Sequence, residues 1–158
     1  IFSVYDPEDE RKVRARLDEF ETRTTEAGHS WKLFDFTTVF AKWMAGMDYR
    51  ESYFEEPKDL SMKLQNAFVH FAAEELRKTL NAPDVNEDTV VGVHGLASLF
   101  GFTKVHLVLN KVEHDIKGRL ALFFPGQYEN NTYRLLNSGD GWNYLAVPIT
   151  LHGGVMTK

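Results

Sequence analysis

Two carboxylates and a histidine stand where the chain leaves short apolar runs. Asp6 follows IFSVY, Asp35 lies in SWKLFDF, and His94 closes TVVGVH. If those runs are parallel strands, all three side chains sit beyond the carboxyl ends of one sheet, where open α/β folds bind ligands. Two carboxylates and a histidine suit a metal-assisted nuclease or phosphatase. The same residues also have plainer roles. Asp6 precedes Pro7 and suits a helix N-cap, Asp35 can cap the next helix, and His94 can be a hydrogen-bonded strand end.

Other chemistries lack their residues. A P-loop needs GxxxxGK[ST], so that backbone N–H groups cradle phosphates and a lysine reaches the terminal ones. The nearest match, Gly95-Leu96-Ala97-Ser98-Leu99-Phe100-Gly101-Phe102, has the glycines but apolar filling and no Lys-Ser/Thr pair. No GxGxxG follows the first apolar run, and Ser98 is not in GxSxG. The histidines His29, His70, His94, His106, His114 and His152 include no HExxH. His106 and His114 are two helical turns apart, and zinc needs more ligands than they supply. A degenerate nucleotide-binding domain, holding phosphate at Gly95 to Gly101 or at the first helix N-terminus, stays open as an alternative.

The elements that would position these residues follow from periodicity. Ile1 to Tyr5 reads as a strand. Asp6, Pro7 and the acidic run Glu8-Asp9-Glu10 open a helix with Val13, Leu17 and Phe20 on one side and Gly28 as its C-cap. Residues 30–36 read as a second strand, followed by a short helix capped by Thr37 or Thr38. Residues 48–59 read as a polar connection. Residues 60–80 give the clearest helix, striped by Leu60, Leu64, Ala67, Phe68, Phe71 and Leu76. Residues 89–95 form a strand, and the helix after it is kinked or divided at Gly101. GRLALFFPG reads as a buried strand stopping at Pro125-Gly126, and 133–137 and 144–149 are the last strand candidates. Strands alternating with helices predict a three-layer α/β fold, with a mainly parallel sheet and helices on both faces, Rossmann-like or degenerate P-loop-like. One domain over 1–150 with a tail at 151–158 accounts for the length.

Composition narrows the function. The net charge of −5 argues against a stand-alone nucleic-acid binder. Without cysteine there is no disulfide, zinc-thiolate site or thiol nucleophile, which fits the cytoplasm. No apolar run approaches the roughly 20 residues of a membrane span. The chain begins at Ile1 rather than Met, which points to a preceding segment. The carboxylates Glu51, Glu55, Glu56 and Asp59 form a solvated edge or a dock for a basic partner. The late stretch NNTYRLLNSGDGWNYLAVPI is glycine-punctuated, aromatic and nearly free of charge. Tyr128, Tyr133, Arg134, Trp142 and Tyr144 are of the types enriched at interface hot spots, and they are read as a partner surface. Closing the sheet accounts equally well for Trp142 and Tyr144.

With VYDPEDERKVRARL, VVGVHGLASLFGFTKV, GRLALFFPG, Tyr133-Arg134-Leu135-Leu136 and DGWNYLAVPI in view, the chain resembles the BrxB family of bacterial BREX phage-defence systems. The resemblance covers nearly the whole chain except LHGGVMTK. It implies a small cytoplasmic accessory subunit associated with PglZ, a protein of the alkaline-phosphatase superfamily. It brings no catalytic motif, cofactor or metal, so no catalytic residue is carried over. Family members begin with a segment before the first strand, in keeping with the start at Ile1.

Overall fold

The computed structural model describes residues 1–136, 141 and 147–150. Trp142, Tyr144 and the expected tail at 151–158 lie outside the described residues. The strands are β1 (Phe2–Tyr5), β2 (Ser30–Asp35), β3 (Thr89–His94), β4 (Arg119–Glu129), β5 (Thr132–Leu135) and β6 (Pro148–Thr150). They form one mainly parallel sheet in the order β2-β3-β4-β1-β6, with β5 antiparallel to β4. This is the α/β class that the alternation of elements predicts.

Helices lie on both faces, and the two faces differ in thickness. On one, α1 (Glu10–Arg14) and α2 (Leu17–Glu26) bring Val13 and Leu17 against Tyr5 and Phe123. Phe20 adds an edge-on contact to Phe123 at 4.8 Å. The other face carries α3 (Val39–Ala45), α6 (Val69–Leu80) and α7 (Val105–Asn110) over the main core, which includes Phe2, Phe36, Phe68, Leu76, Val93 and Phe124. Strand periodicity sorts the sheet residues. In β4, Leu122 and Phe124 face the main core, and Phe123 faces α1 and α2.

Local chemistry explains the boundaries. Asp6 caps the first turn through Oδ1, which accepts from Glu8 N at 2.9 Å. α2 ends with Gly28 at φ +85°, where His29 N bonds Thr24 O and Gly28 N bonds Thr25 O, a Schellman cap. Gly101, at φ +81°, divides the segment after β3 into a 3-10 turn (Leu96–Leu99) and α7.

Three expectations are corrected. Residues 48–59 contain α4 (Arg50–Glu55) and most of a 3-10 turn (Pro57–Leu60). The long helix runs from α5 (Ser61–Lys63) through a π-helical turn (Leu64–Phe68) into α6. That turn shifts the apolar stripe, leaving Ala67 exposed and burying Val69, Ala72 and Ala73. Lastly, β4 does not stop at Pro125-Gly126. Leu122 N bonds Ile1 O toward β1, so alternation turns the Pro125 nitrogen toward β3. Pairing with β3 has by then ended, at Val93 opposite Leu122. The missing N–H therefore costs no ladder bond. The Pro125 carbonyl accepts from Leu136 N at 2.9 Å, and β4 continues into a hairpin with β5. Asn130 and Asn131, at φ 50° and 62°, form its two-residue turn.

Candidate functional site

The topology brings Asp35 and His94 side by side, opposite each other in the β2–β3 register. His94 Nε2 is 3.5 Å from Asp35 Oδ2. The other carboxylate oxygen, Oδ1, accepts from Thr37 N at 2.7 Å. Arg14 reaches in from α1. Its Nη2 donates to Thr37 Oγ1 at 2.8 Å, and its Nε donates to Glu10 Oε1 at 2.8 Å. Glu10 Oε2 in turn accepts from the buried Tyr5 hydroxyl at 2.5 Å. A chain of polar contacts thus joins the carboxyl ends of β1, β2 and β3 to the start of α1.

Sequence reasoning found Asp35 and His94 but missed Tyr5, Glu10 and Arg14. The i, i+4 spacing of Glu10 and Arg14 was a legible helix pair. Nothing in the spacing announced that Arg14 would cross to Thr37. The third expected member, Asp6, is engaged in capping. Among the described residues no three His, Asp or Glu side chains are grouped to hold a metal ion.

Burial dominates the electrostatics of this network. Burial lowers the His94 pKa and outweighs the nearby Asp35 carboxylate, while Arg14 lowers it further. Burial, then the hydrogen bond to Glu10, pushes the Tyr5 hydroxyl well above its ordinary range. His94 Nδ1 is sealed from solvent and makes no hydrogen bond among the described residues. Its Nε2 faces Asp35.

The pH dependence follows. His94 binds a proton less readily folded than unfolded, so folding is favoured above the unfolded pKa near 6.5 and loses stability as pH falls through the folded value. Thermal melts should show lower stability at pH 5.5 than at 7.5, with a shallower slope in His94→Gln. Some slope should persist, because burial and Lys104 lower His106 in the same direction. Equal slopes in both proteins would remove His94 from this role.

The phosphate candidates are unfavourable. Gly95, at φ +74°, presses so closely on Asp35 and Thr37 that a Cβ would overlap Asp35 Oδ1 and lie 2.8 Å from Thr37 N. The turn after it buries Leu96 and Leu99. A carboxylate thus stands where a phosphate would approach. The first helical turn, already capped by Asp6, carries Glu8 and Asp9, which repel an anion.

The expected partner residues separate. Tyr133 is fully buried and packs edge-on against Phe2 at 4.5 Å and Phe124 at 5.9 Å. It is a core residue with no surface left for a partner, which corrects the sequence reading. The strand alternation that buries Tyr133 and Leu135 turns Arg134 outward, opposite Gln127. Tyr128 is half-buried and donates its hydroxyl to Asn131 Oδ1 at 2.9 Å, bracing the turn. The backbone at Gly141 lies against Thr132 and the Arg134 stem.

No helix among the described residues is long and apolar enough to cross a membrane. No family model, curated protein or solved structure matches the chain.

Proposed function

We propose that this chain is a non-enzymatic accessory subunit of a BREX-type anti-phage defence complex in the cytoplasm, and that it docks a PglZ-type partner through the β4–β5 hairpin. The observation that carries this reading is the hairpin itself. It extends β4 past the end of β3, anchors one side in the core through Tyr133, and presents Gln127 and Arg134 on the other. A rigid strand pair with an exposed arginine fits the needs of an interface hot spot, because little backbone freedom is lost on binding. The resemblance of the quoted segments to BrxB supplies the identity of the partner. The self-contained polar network at the strand ends adds support, since its groups are turned on one another.

Arg134→Glu should leave the fold intact and weaken the PglZ-type partner about 30-fold, the equivalent of about 2 kcal/mol at a hot spot. Biolayer interferometry with the purified partner reads this directly. An unchanged Kd would remove Arg134 from the interface.

A further inference from the structure

We infer that residues 47–63 form a second docking surface, for a cationic protein segment with apolar anchors. This surface is separate from the hairpin and does not rest on the reading above.

Large apolar side chains stand unusually far into solvent here. Tyr49, Phe54 and Met62 are 75%, 68% and 79% exposed, and the next such side chain among the described residues reaches 52%. The backbone beneath them is anchored. Leu60 is buried, and Tyr53 packs on the main core with Lys63 Nζ 4.8 Å above its ring. With Tyr53 turned inward, Glu51, Phe54 and Glu55 follow at helical spacing on the outward side of α4. Scattered apolar residues on a surface are ordinary, but three this exposed within one short segment mark an interaction site. Aromatic and Met side chains are the types interfaces favour.

Charge identifies the occupant. Glu51, Glu55, Glu56 and Asp59 are exposed and form no ion pair among the described residues. On α6, by contrast, Glu74 and Glu75 are matched by Arg77 and Lys78. A hollow of about 330 Å³ at the start of α4 has Asp48, Arg50 and Glu51 in its wall, two carboxylates to one cation. Residues 47–63 carry five carboxylates against Arg50, Lys58 and Lys63, and this acidic excess disfavours nucleic acid and anionic membranes. A second copy is also disfavoured, because a two-fold contact would set this excess against itself in a chain of net charge −5. A basic amphipathic segment, for example a helix with Lys or Arg beside Leu, satisfies both features.

The test titrates the whole chain with three fluorescent peptides: an amphipathic Leu/Lys helix, its Leu/Glu counterpart and a Ser/Lys counterpart. The Leu/Lys peptide should bind, with amide shifts confined to residues 47–63, and the other two should not. The pair Phe54→Ser and Met62→Ser should weaken binding at least about tenfold, as should the pair Glu51→Gln and Glu55→Gln. Both pairs change exposed residues, and circular dichroism should show unaltered melts. Arg134→Glu should leave peptide binding unchanged, which separates this surface from the hairpin. Equal binding of the Leu/Glu or Ser/Lys peptide, shifts centred elsewhere, or concentration-dependent self-association that masks residues 47–63 would overturn the inference.

Discussion

Tyr133→Ala should lower the unfolding free energy by about 3–5 kcal/mol, the cost of deleting a buried aromatic ring. That is a large part of the roughly 5–15 kcal/mol a domain has in total. At about 2–4 °C per kcal/mol for a chain of this size, the melting temperature should fall by about 10 °C. The reason is geometric. Tyr133 has no exposed surface, and its ring closes an aromatic group with Phe2 and Phe124, which stack on each other at 5.6 Å. Removing it leaves a void between β1, β4 and β5, whose backbone ladders keep the walls from collapsing inward. Urea denaturation measures the loss. A midpoint close to the wild type would mean that the ring is not part of the core, and the hairpin would lose its anchor. Arg134→Ala, one residue along, should leave the midpoint unchanged, because its side chain is on the outer side.

Gly126→Ala should also be strongly destabilising, by about 1–3 kcal/mol or more, through overpacking rather than cavity formation. A Cβ at Gly126 would overlap the Arg134 carbonyl oxygen and lie 3.0 Å from its carbon and 3.1 Å from Leu136 N. These are backbone atoms of the paired strand, so no side-chain rotation relieves the contact. The strands must separate, and the Leu136 N to Pro125 O bond must lengthen or break. Hydrogen exchange should therefore quicken at Arg134 and Leu136, whose amides face β4, before it quickens in β1 or β3. Undisturbed protection there would show that the two strands do not approach so closely. Here glycine serves close backbone approach, since Gly126 is not among the positive-φ residues.

Much of this architecture could be read from residue order. The alternation of apolar runs with helical periodicity gave the parallel sheet, and Asp6-Pro7 and Gly28 gave the ends of the first helical segment. The rule that strand ends gather functional side chains placed Asp35 beside His94. Three features escaped for identifiable reasons. Pro125 reads as a strand stop only if its nitrogen lies in a ladder, and that depends on where β3 ends. The π-helical turn at Leu64–Phe68 changes the phase of a stripe that regular 3.6-residue spacing extrapolates. Tyr133 was assigned to the surface by residue type. The period-two pattern of Tyr133, Arg134 and Leu135 already put the tyrosine and the leucine on one side and the arginine on the other. The links from Glu10 to Tyr5 and from Arg14 to Thr37 are tertiary contacts with no local signature.

The polar network and the hairpin suit different tasks. One ties α1 to three strand ends. The other extends a strand beyond the sheet and holds an arginine outward. Under the proposed function the first keeps the scaffold rigid, and the second meets the neighbouring subunit.

Hydrogen exchange on the purified chain, with and without a PglZ-type partner at micromolar concentration, tests that assignment most directly. The proposal predicts a stable complex with slowed exchange concentrated in residues 126–136. Absence of a complex, or a complex that leaves those residues as free to exchange as before, would contradict it.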